Sequence, residues 1–221
     1  MTTATWARRT GMTAVATVAV TALAAPVGAQ AATGTPAPAP TAAAPASAVK
    51  AVGAASGKVG YATWQQDCQA VMDRALPYLE QRIAHARPGE KQAIVLDVDN
   101  TALETDFGFS FPQPANKPVL TAARYAQEHG VALFFVTARP GIVAAPTEWN
   151  LEHDGYQVTG LRVRGLLDLF KDMAAYKTAQ RTAIEKDGYT IIANIGNSAT
   201  DLSGGHAEQT FKLPDYDGQL S

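Results

Sequence analysis

A run of four apolar residues, Ala93-Ile94-Val95-Leu96, passes without a break into Asp97-Val98-Asp99-Asn100-Thr101. Such a run reads as a strand buried on both faces, and a strand of that kind belongs to a parallel sheet covered by helices. Parallel strands open at their carboxyl ends into the ligand crevice, so Asp97 and Asp99, two positions apart, are both expected to reach solvent there. Two carboxylates and a hydroxyl at this spacing suit phosphate chemistry, because one carboxylate can attack while the other handles a proton. The plainer alternative is a strand ending in an Asx-type turn.

The rest of the chain alternates in the same style. Apolar residues at Cys68, Val71, Met72, Ala75, Leu76, Leu79 and Ile83 predict a long amphipathic helix over 61–86, with Pro77 placed to kink it. After the first strand, 93–97, comes a loop over 103–117 that is too short for a large inserted domain. Then follow a helix over 119–128 stopped by Gly130, an apolar strand over 131–136 with Thr137 at its end, and a helix over 142–153. A short strand over 160–163, a helix over 173–186, a strand over 189–195 and an edge strand over 210–213 complete the pattern. Strands alternating with helices over this length imply an α/β fold: a doubly wound parallel sheet with helices on both faces and only a small cap segment.

Not all 221 residues belong to that domain. Arg8 and Arg9 precede an apolar, alanine-rich stretch over 11–25 that is too short to span a bilayer, and Ala29-Gln30-Ala31 offers a small-residue cleavage site. Residues 1–31 are therefore expected to be a signal peptide. The match to a twin-arginine signal is poor beyond the paired arginines, which favours the general secretory route. Residues 32–57, mostly Ala, Pro, Thr, Gly and Ser, bury too little apolar surface to offset ordering and read as a flexible linker. That leaves 58–221 as one domain of an exported protein, with no stable membrane association after cleavage.

A formal charge of -2, a pI near 6.1 and scattered basic residues provide no field for nucleic acid. The single cysteine, Cys68, excludes an intramolecular disulfide, and its helical spacing with Met72, Leu76 and Leu79 reads as a core position. No Cys and His spacing suggests zinc.

Three apolar runs end in polar residues: Asp97 and Asp99 after the first, Thr137 after the second, Asn197 and Asp201 after the fourth, with Lys177 twenty positions before Asn197. This order resembles the haloacid dehalogenase (HAD) superfamily, and within it the secreted acid phosphatase branch that includes plant vegetative storage proteins. The likeness rests on Leu96-Asp97-Val98-Asp99-Asn100-Thr101, Val136-Thr137-Ala138-Arg139-Pro140, Tyr176-Lys177-Thr178 and Gly196-Asn197-Ser198-Ala199-Thr200-Asp201-Leu202, running on to Phe211-Lys212-Leu213-Pro214.

The resemblance implies a Rossmann-like fold and a Mg2+-dependent phosphomonoester hydrolase acting on small phosphorylated metabolites. Asp97 would be the nucleophile and a metal ligand; Asp99 would be the general acid and base, with its backbone carbonyl on the metal. Thr137 and Lys177 would hold phosphoryl oxygens, Thr101 and Arg139 would serve substrate binding, and Asn197 and Asp201 would complete the metal site. Many relatives carry aspartate where this chain has Asn197, which keeps an oxygen ligand but drops a charge and weakens metal binding.

Lys171 is a rival for the lysine role, and Arg139 is equally suited to pairing with a carboxylate. Asn100 is expected to shape its loop, Glu104 to face solvent or cap a turn, and His206 to be a loop histidine. Two other functions share these residues: a storage or phosphate-binding protein in which catalysis has decayed, and a phosphotransferase using the same intermediate. Dehalogenation does not suit a site built from Asp99, Thr137 and an acidic cluster.

Overall fold

The computed structural model describes residues 59–108 and 110–220. The expected signal peptide and linker lie outside the described residues. Helix α1 spans Tyr61–Ala84 and runs through Pro77, burying Trp64, Cys68, Val71, Met72, Ala75 and Leu79 at the three-and-four spacing of one helical face. Strand β1, Lys91–Leu96, is followed by α2, Lys117–Glu128, which has Pro118 in its first turn, where a missing N–H costs nothing. Next come β2, Ala132–Pro140, a 3-10 turn over Gly141–Val143 and α3, Ala144–Asp154. Helix α3 ends at Gly155, whose φ of 100° is left-handed and strained for any residue with a Cβ, which would also have to displace the Arg124 guanidinium. The remaining elements are β3 (Gly160–Arg164), α4 (Met173–Lys186), β4 (Tyr189–Gly196), the short α5 (Ala199–Leu202) and β5 (Gln209–Lys212).

All strand pairs are parallel and the order is β3-β2-β1-β4-β5. The chain steps outward from β1 to β3 and then returns to β1's other side. The order thus reverses at β1, and the crevice at its carboxyl end is where such sheets bind ligands. Every expected element is found in type and order, and the structure adds three short ones that were not expected: α5 and 3-10 turns over Gly141–Val143 and Leu166–Phe170. The other differences lie at the ends: β1 begins two residues early, and β2 runs through Thr137 instead of stopping before it.

Helices cover both faces. Ile94, Leu96, Leu133 and Phe135 pack with the buried faces of α1 and α2 and with Leu151 of α3. Ala93, Val95, Phe134 and Val136 pack with Tyr176 and Ile184 of α4. Each fully buried Leu or Ile contributes about 1.5–3 kcal/mol of transfer free energy, which is what holds the sheet between its two layers. One irregularity positions the site. The register slips between Ala93/Ile191 and Ile94/Ala193, leaving Ile192 as an extra residue in β4. Past that bulge the alternation inverts: Ile191 faces α4, whereas Ala193 and Ile195 face α1 and α2. No helix among the described residues is long and apolar enough to cross a membrane.

Candidate active site

Asp97 is the first residue beyond β1, and its N–H donates to Ile195 O at 3.0 Å, extending the ladder to β4 by one rung. Its carboxylate lies in a cleft of about 270 Å³ lined also by Asp99, Ala138, Lys177, Asn197 and Asp201. Only 6% of Asp97 is exposed, which corrects the expectation that both aspartates reach solvent. Lys177 on α4 and the turn after β4 close over it, while the Asp99 side chain stays 36% exposed at the rim.

Lys177 Nζ donates to Asp97 Oδ1 at 2.6 Å and to Asp201 Oδ1. Among the described residues none donates to Asp97 Oδ2. Burial pushes the Asp97 carboxyl above the usual carboxylate range, against the pull of the Lys177 ammonium. Burial by itself would lower Lys177, but the two facing carboxylates outweigh it and its pKa is raised. With both carboxylates ionised the trio sums to one negative charge in a desolvated place.

Asp201 is fixed on three sides. Its Oδ2 accepts the Ser198 N–H at 2.7 Å, closing a capping turn, and its backbone oxygen accepts from Arg181 Nη1 at 2.6 Å and from Asn194 Nδ2 at 2.9 Å. The bulge at Ile192 is what leaves Asn194 on the α4 side. A Cβ on Gly196 would come within 2.4 Å of Asp201 Cβ, so the strand can pass this turn only as glycine. Arg181 is 1% exposed and also donates to Gly205 O at 2.9 Å and to Ser203 O, holding the whole loop that carries Asp201.

Asn197 is oriented by the C-terminal segment. Its Nδ2 donates to Leu220 O at 2.6 Å, which turns Oδ1 toward the Thr101 hydroxyl at 3.4 Å. A carboxylate here would set an oxygen against the Leu220 carbonyl, a physical reason for asparagine at this position. Thr101 is fully buried beneath Asn197 and does not line the cleft. Thr137 is also fully buried, and its Oγ1 accepts the Arg139 N–H at 3.1 Å.

Of its two expected roles, Arg139 takes the carboxylate partner: its Nε and Nη2 grip Asp99 at 3.1 and 2.8 Å. The guanidinium also donates to Gln113 Oε1 at 2.7 Å and to Thr147 Oγ1 at 3.0 Å. Lys171, the rival lysine, is an exposed partner of Asp168 at 2.7 Å, away from the trio. His206 is a loop residue pairing with Glu185. Asn100 shapes its loop as expected, with φ 53° and Oδ1 accepting the Asp106 N–H at 3.0 Å.

Glu104 does not face solvent. It is 5% exposed, accepts from Tyr61 Oη and Gln65 Nε2 at 3.0 Å each, and burial raises its pKa, because α1 packs directly over the loop that carries it. Cys68 is in the core, and burial pushes its thiol up to about 12.

The structure thus gathers Asp97, Asp99, Lys177, Asn197 and Asp201 around one cleft, with Thr101, Thr137 and Arg139 supporting them from behind or beside. Sequence reasoning missed Arg181, Asn194, Gln113, Thr147, Asn150 and Leu220. For Arg181 a signal existed: Lys177, Arg181 and Ile184 fall at the spacing of one helical face, and a charge pair on the stripe that packs on a sheet has to be bonded to something buried.

The family model for the HAD superfamily, subfamily IIIB (acid phosphatase), matches residues 21–219. Two relatives from Glycine max, the stem 28 kDa and stem 31 kDa glycoproteins, are each 37% identical over 89 residues. Those matches take in 38% of this chain but only 35% and 31% of theirs, so the chain spans about a third of the length of these curated relatives. The class C acid phosphatase from Bacillus anthracis superposes with a TM-score of 0.57 at 17% identity, covering 71% of this chain and 80% of that one. The tungstate-bound form of that enzyme superposes with a TM-score of 0.55 at 16% identity over the same shares. These structural likenesses are likenesses of fold, a sheet of five parallel strands between helices, whereas the family match runs through every motif of the cleft. The chain belongs to the HAD superfamily, subfamily IIIB, the acid phosphatase family.

Proposed function

We propose that the protein is a magnesium-dependent phosphomonoester hydrolase that acts on small phosphorylated metabolites through an aspartyl-phosphate on Asp97. One observation carries this reading: a buried carboxylate at the carboxyl end of β1 has one oxygen held by Lys177 and the other free of hydrogen bonds from the described residues. That second oxygen keeps a lone pair for attack on phosphorus. The P–O bond to the leaving group breaks as the Asp97–phosphorus bond forms, and Asp99, which must enter this step protonated although Arg139 pairs with its carboxylate, gives that proton to the departing oxygen. In the second step Asp99 takes a proton from water, which attacks phosphorus and frees Asp97 and inorganic phosphate. Lys177 neutralises charge on the phosphoryl oxygens, since this chemistry depends chiefly on positioning and electrostatics, and the Thr137 hydroxyl, fully buried behind the cleft, could reach one of them only if substrate binding opens a path to it.

The donor set suits a hard divalent cation. The described residues contain no group of three or more His, Cys, Asp and Glu side chains able to hold an ion, and the cleft offers two carboxylates and an amide at Asp97, Asp201 and Asn197. Asp97, the Asp99 backbone carbonyl, the Asn197 amide oxygen and Asp201 would hold it, all through oxygen, around a trio already one charge negative. Once bound, the ion supplies positive charge that polarises the phosphoryl group. Export belongs to the same proposal, supported by Arg8-Arg9, the apolar stretch over 11–25 and Ala29-Gln30-Ala31.

A second reading, a phosphate-binding or storage protein of low turnover, is favoured by Asn197, which removes one charge from the metal site. Nitrophenolate release from 4-nitrophenyl phosphate separates the two. The hydrolase reading expects magnesium-stimulated turnover that Asp97→Asn lowers by more than about 10³-fold, with a fluoride phosphate mimic binding tightly to the wild-type chain only. Turnover unchanged in Asp97→Asn would end the proposed mechanism.

A further inference from the structure

We infer that Gln113 and Asn150 are positioning residues that set the Asp99 carboxylate for proton transfer, acting through Arg139. The inference rests on the proposed role of Asp99 as the acid. Arg139 is joined to Asp99 on one side only; what fixes the guanidinium plane is the neutral pair on its other edge, Gln113 Oε1 at 2.7 Å and Thr147 Oγ1 at 3.0 Å. Thr147 is on α3 and 2% exposed, so its place is set by helix packing. Gln113 is in the loop after β1, just before a short antiparallel bridge that joins Ala115 to Leu103 and lets Pro114 O accept the Glu104 N–H at 2.9 Å, but neither backbone group of Gln113 itself takes part in that bridge.

Asn150 supplies what the loop lacks. Its Oδ1 accepts the Gln113 N–H at 2.7 Å and its Nδ2 donates to Gln113 O at 2.8 Å, so one buried amide grips both backbone groups of a single residue as a neighbouring strand would. Asn150 is 1% exposed, and its Nδ2 also donates to Asp154 Oδ2 at 3.1 Å. A continuous chain of hydrogen bonds therefore runs from α3 through Asn150, Gln113 and Arg139 to Asp99. Without the Gln113 link, Arg139 can turn toward the open cavity of about 320 Å³ that Gln113, Phe111 and Val143 line beside it, taking Asp99 with it. A shift of about 1 Å in a proton donor is enough to cost a large part of its contribution.

Leaving-group dependence reads this directly. Nitrophenolate departs without a proton, whereas an alkoxide does not, so kcat/KM for 4-nitrophenyl phosphate and for glycerol 2-phosphate respond differently to the acid. Asp99→Asn calibrates the scale, with a loss for the alkyl ester about 10²-fold or more beyond that for the aryl ester. Gln113→Met and Asn150→Ala are each expected to lose about tenfold more kcat/KM on the alkyl ester than on the aryl ester. Gln113→Met, at a half-exposed position, keeps the test open if Asn150→Ala does not fold. Equal losses on both esters in these variants, with Asp99→Asn selective, would overturn the positioning role alone. An unselective Asp99→Asn would remove the acid assignment itself.

Discussion

Both ends of the sheet carry one cation between two carboxylates, and the two trios behave in opposite ways. At the amino end Arg82, late in α1, forks to Glu90 before β1 at 2.6 and 3.1 Å and to Glu208 before β5 at 2.6 and 3.0 Å. At the carboxyl end Lys177 bridges Asp97 and Asp201. Each trio sums to one negative charge. Yet hydrogen bonds from Arg82 and the Arg87 N–H hold Glu90 down at about 2, whereas burial drives Asp97 upward. Donor number makes the difference for Glu90, whose own side chain is only 4% exposed, and solvent adds to it at Arg82 and Glu208. Arg82 and Glu208 keep 15% and 34% of their side chains exposed, against 3–7% in the inner trio, and a guanidinium fork satisfies two carboxylates where one ammonium only divides itself between them. The outer trio is a clamp joining α1 to two strand starts. The inner one carries the same formal charge with fewer donors, which leaves Asp97 Oδ2 without a hydrogen bond from the described residues.

Removing the inner cation should produce the largest effect on stability. Lys177→Met leaves two buried carboxylates facing each other, and the expected loss is about 3–5 kcal/mol at pH 7, read by urea unfolding, together with loss of turnover. The sign with pH follows: one carboxyl must bind a proton to relieve the pair, so the variant regains stability as pH falls toward 4. A loss below about 1 kcal/mol would mean that the inner carboxylates do not depend on their one ammonium, and the contrast between the two ends would break.

A smaller effect of opposite sign is expected from Asp97→Asn without divalent metal. The folded pKa of Asp97 lies above its ordinary value of 3.8, so its contribution is favourable below that value and is lost as pH rises through the folded pKa. At pH 7 the charged form is a burden. The amide relieves it and leaves Lys177 paired with Asp201 alone, so the inactive variant should unfold about 1–2 kcal/mol later than wild type at pH 7, the gain shrinking toward pH 4. A variant less stable than wild type at both pH values would show that the Lys177 bridge, not burial, dominates Asp97.

Much of this molecule was legible in its sequence for reasons that differ by region. The run over 93–96 declares a strand buried on both faces, and the polar residues that end three such runs could only meet at one sheet edge, so Asp97, Asp99, Asn197 and Asp201 were found together. Lys177 was separable from Lys171 only by its motif, since either lysine suits a helix in isolation. What periodicity could not show was depth. Asp97 sits under α4 and Glu104 under α1, and burial of a polar group depends on which element crosses it, a long-range fact. The bulge at Ile192 was equally silent, because Ile191-Ile192-Ala193 reads as an unbroken apolar strand with or without an extra residue. Asn150 and Leu220 act through contacts 37 and 23 residues away in sequence, and no local pattern marks them.

The outer trio offers the mildest test of the contrast. Glu90 has a folded pKa of about 2 against an ordinary 4.5, so its stabilisation is full above 4.5 and is lost as pH falls through 2. Glu90→Gln keeps the shape and removes the charge, leaving Arg82 paired with Glu208. The expected result is a Tm lower by about 2–4 °C at pH 7 and equal to wild type near pH 2, with the difference reduced in high salt because the clamp lies at the surface. A deficit that survives unchanged at pH 2 would locate the loss in packing around Arg82 and Gln92, and the amino end would then owe its stability to shape and not to charge.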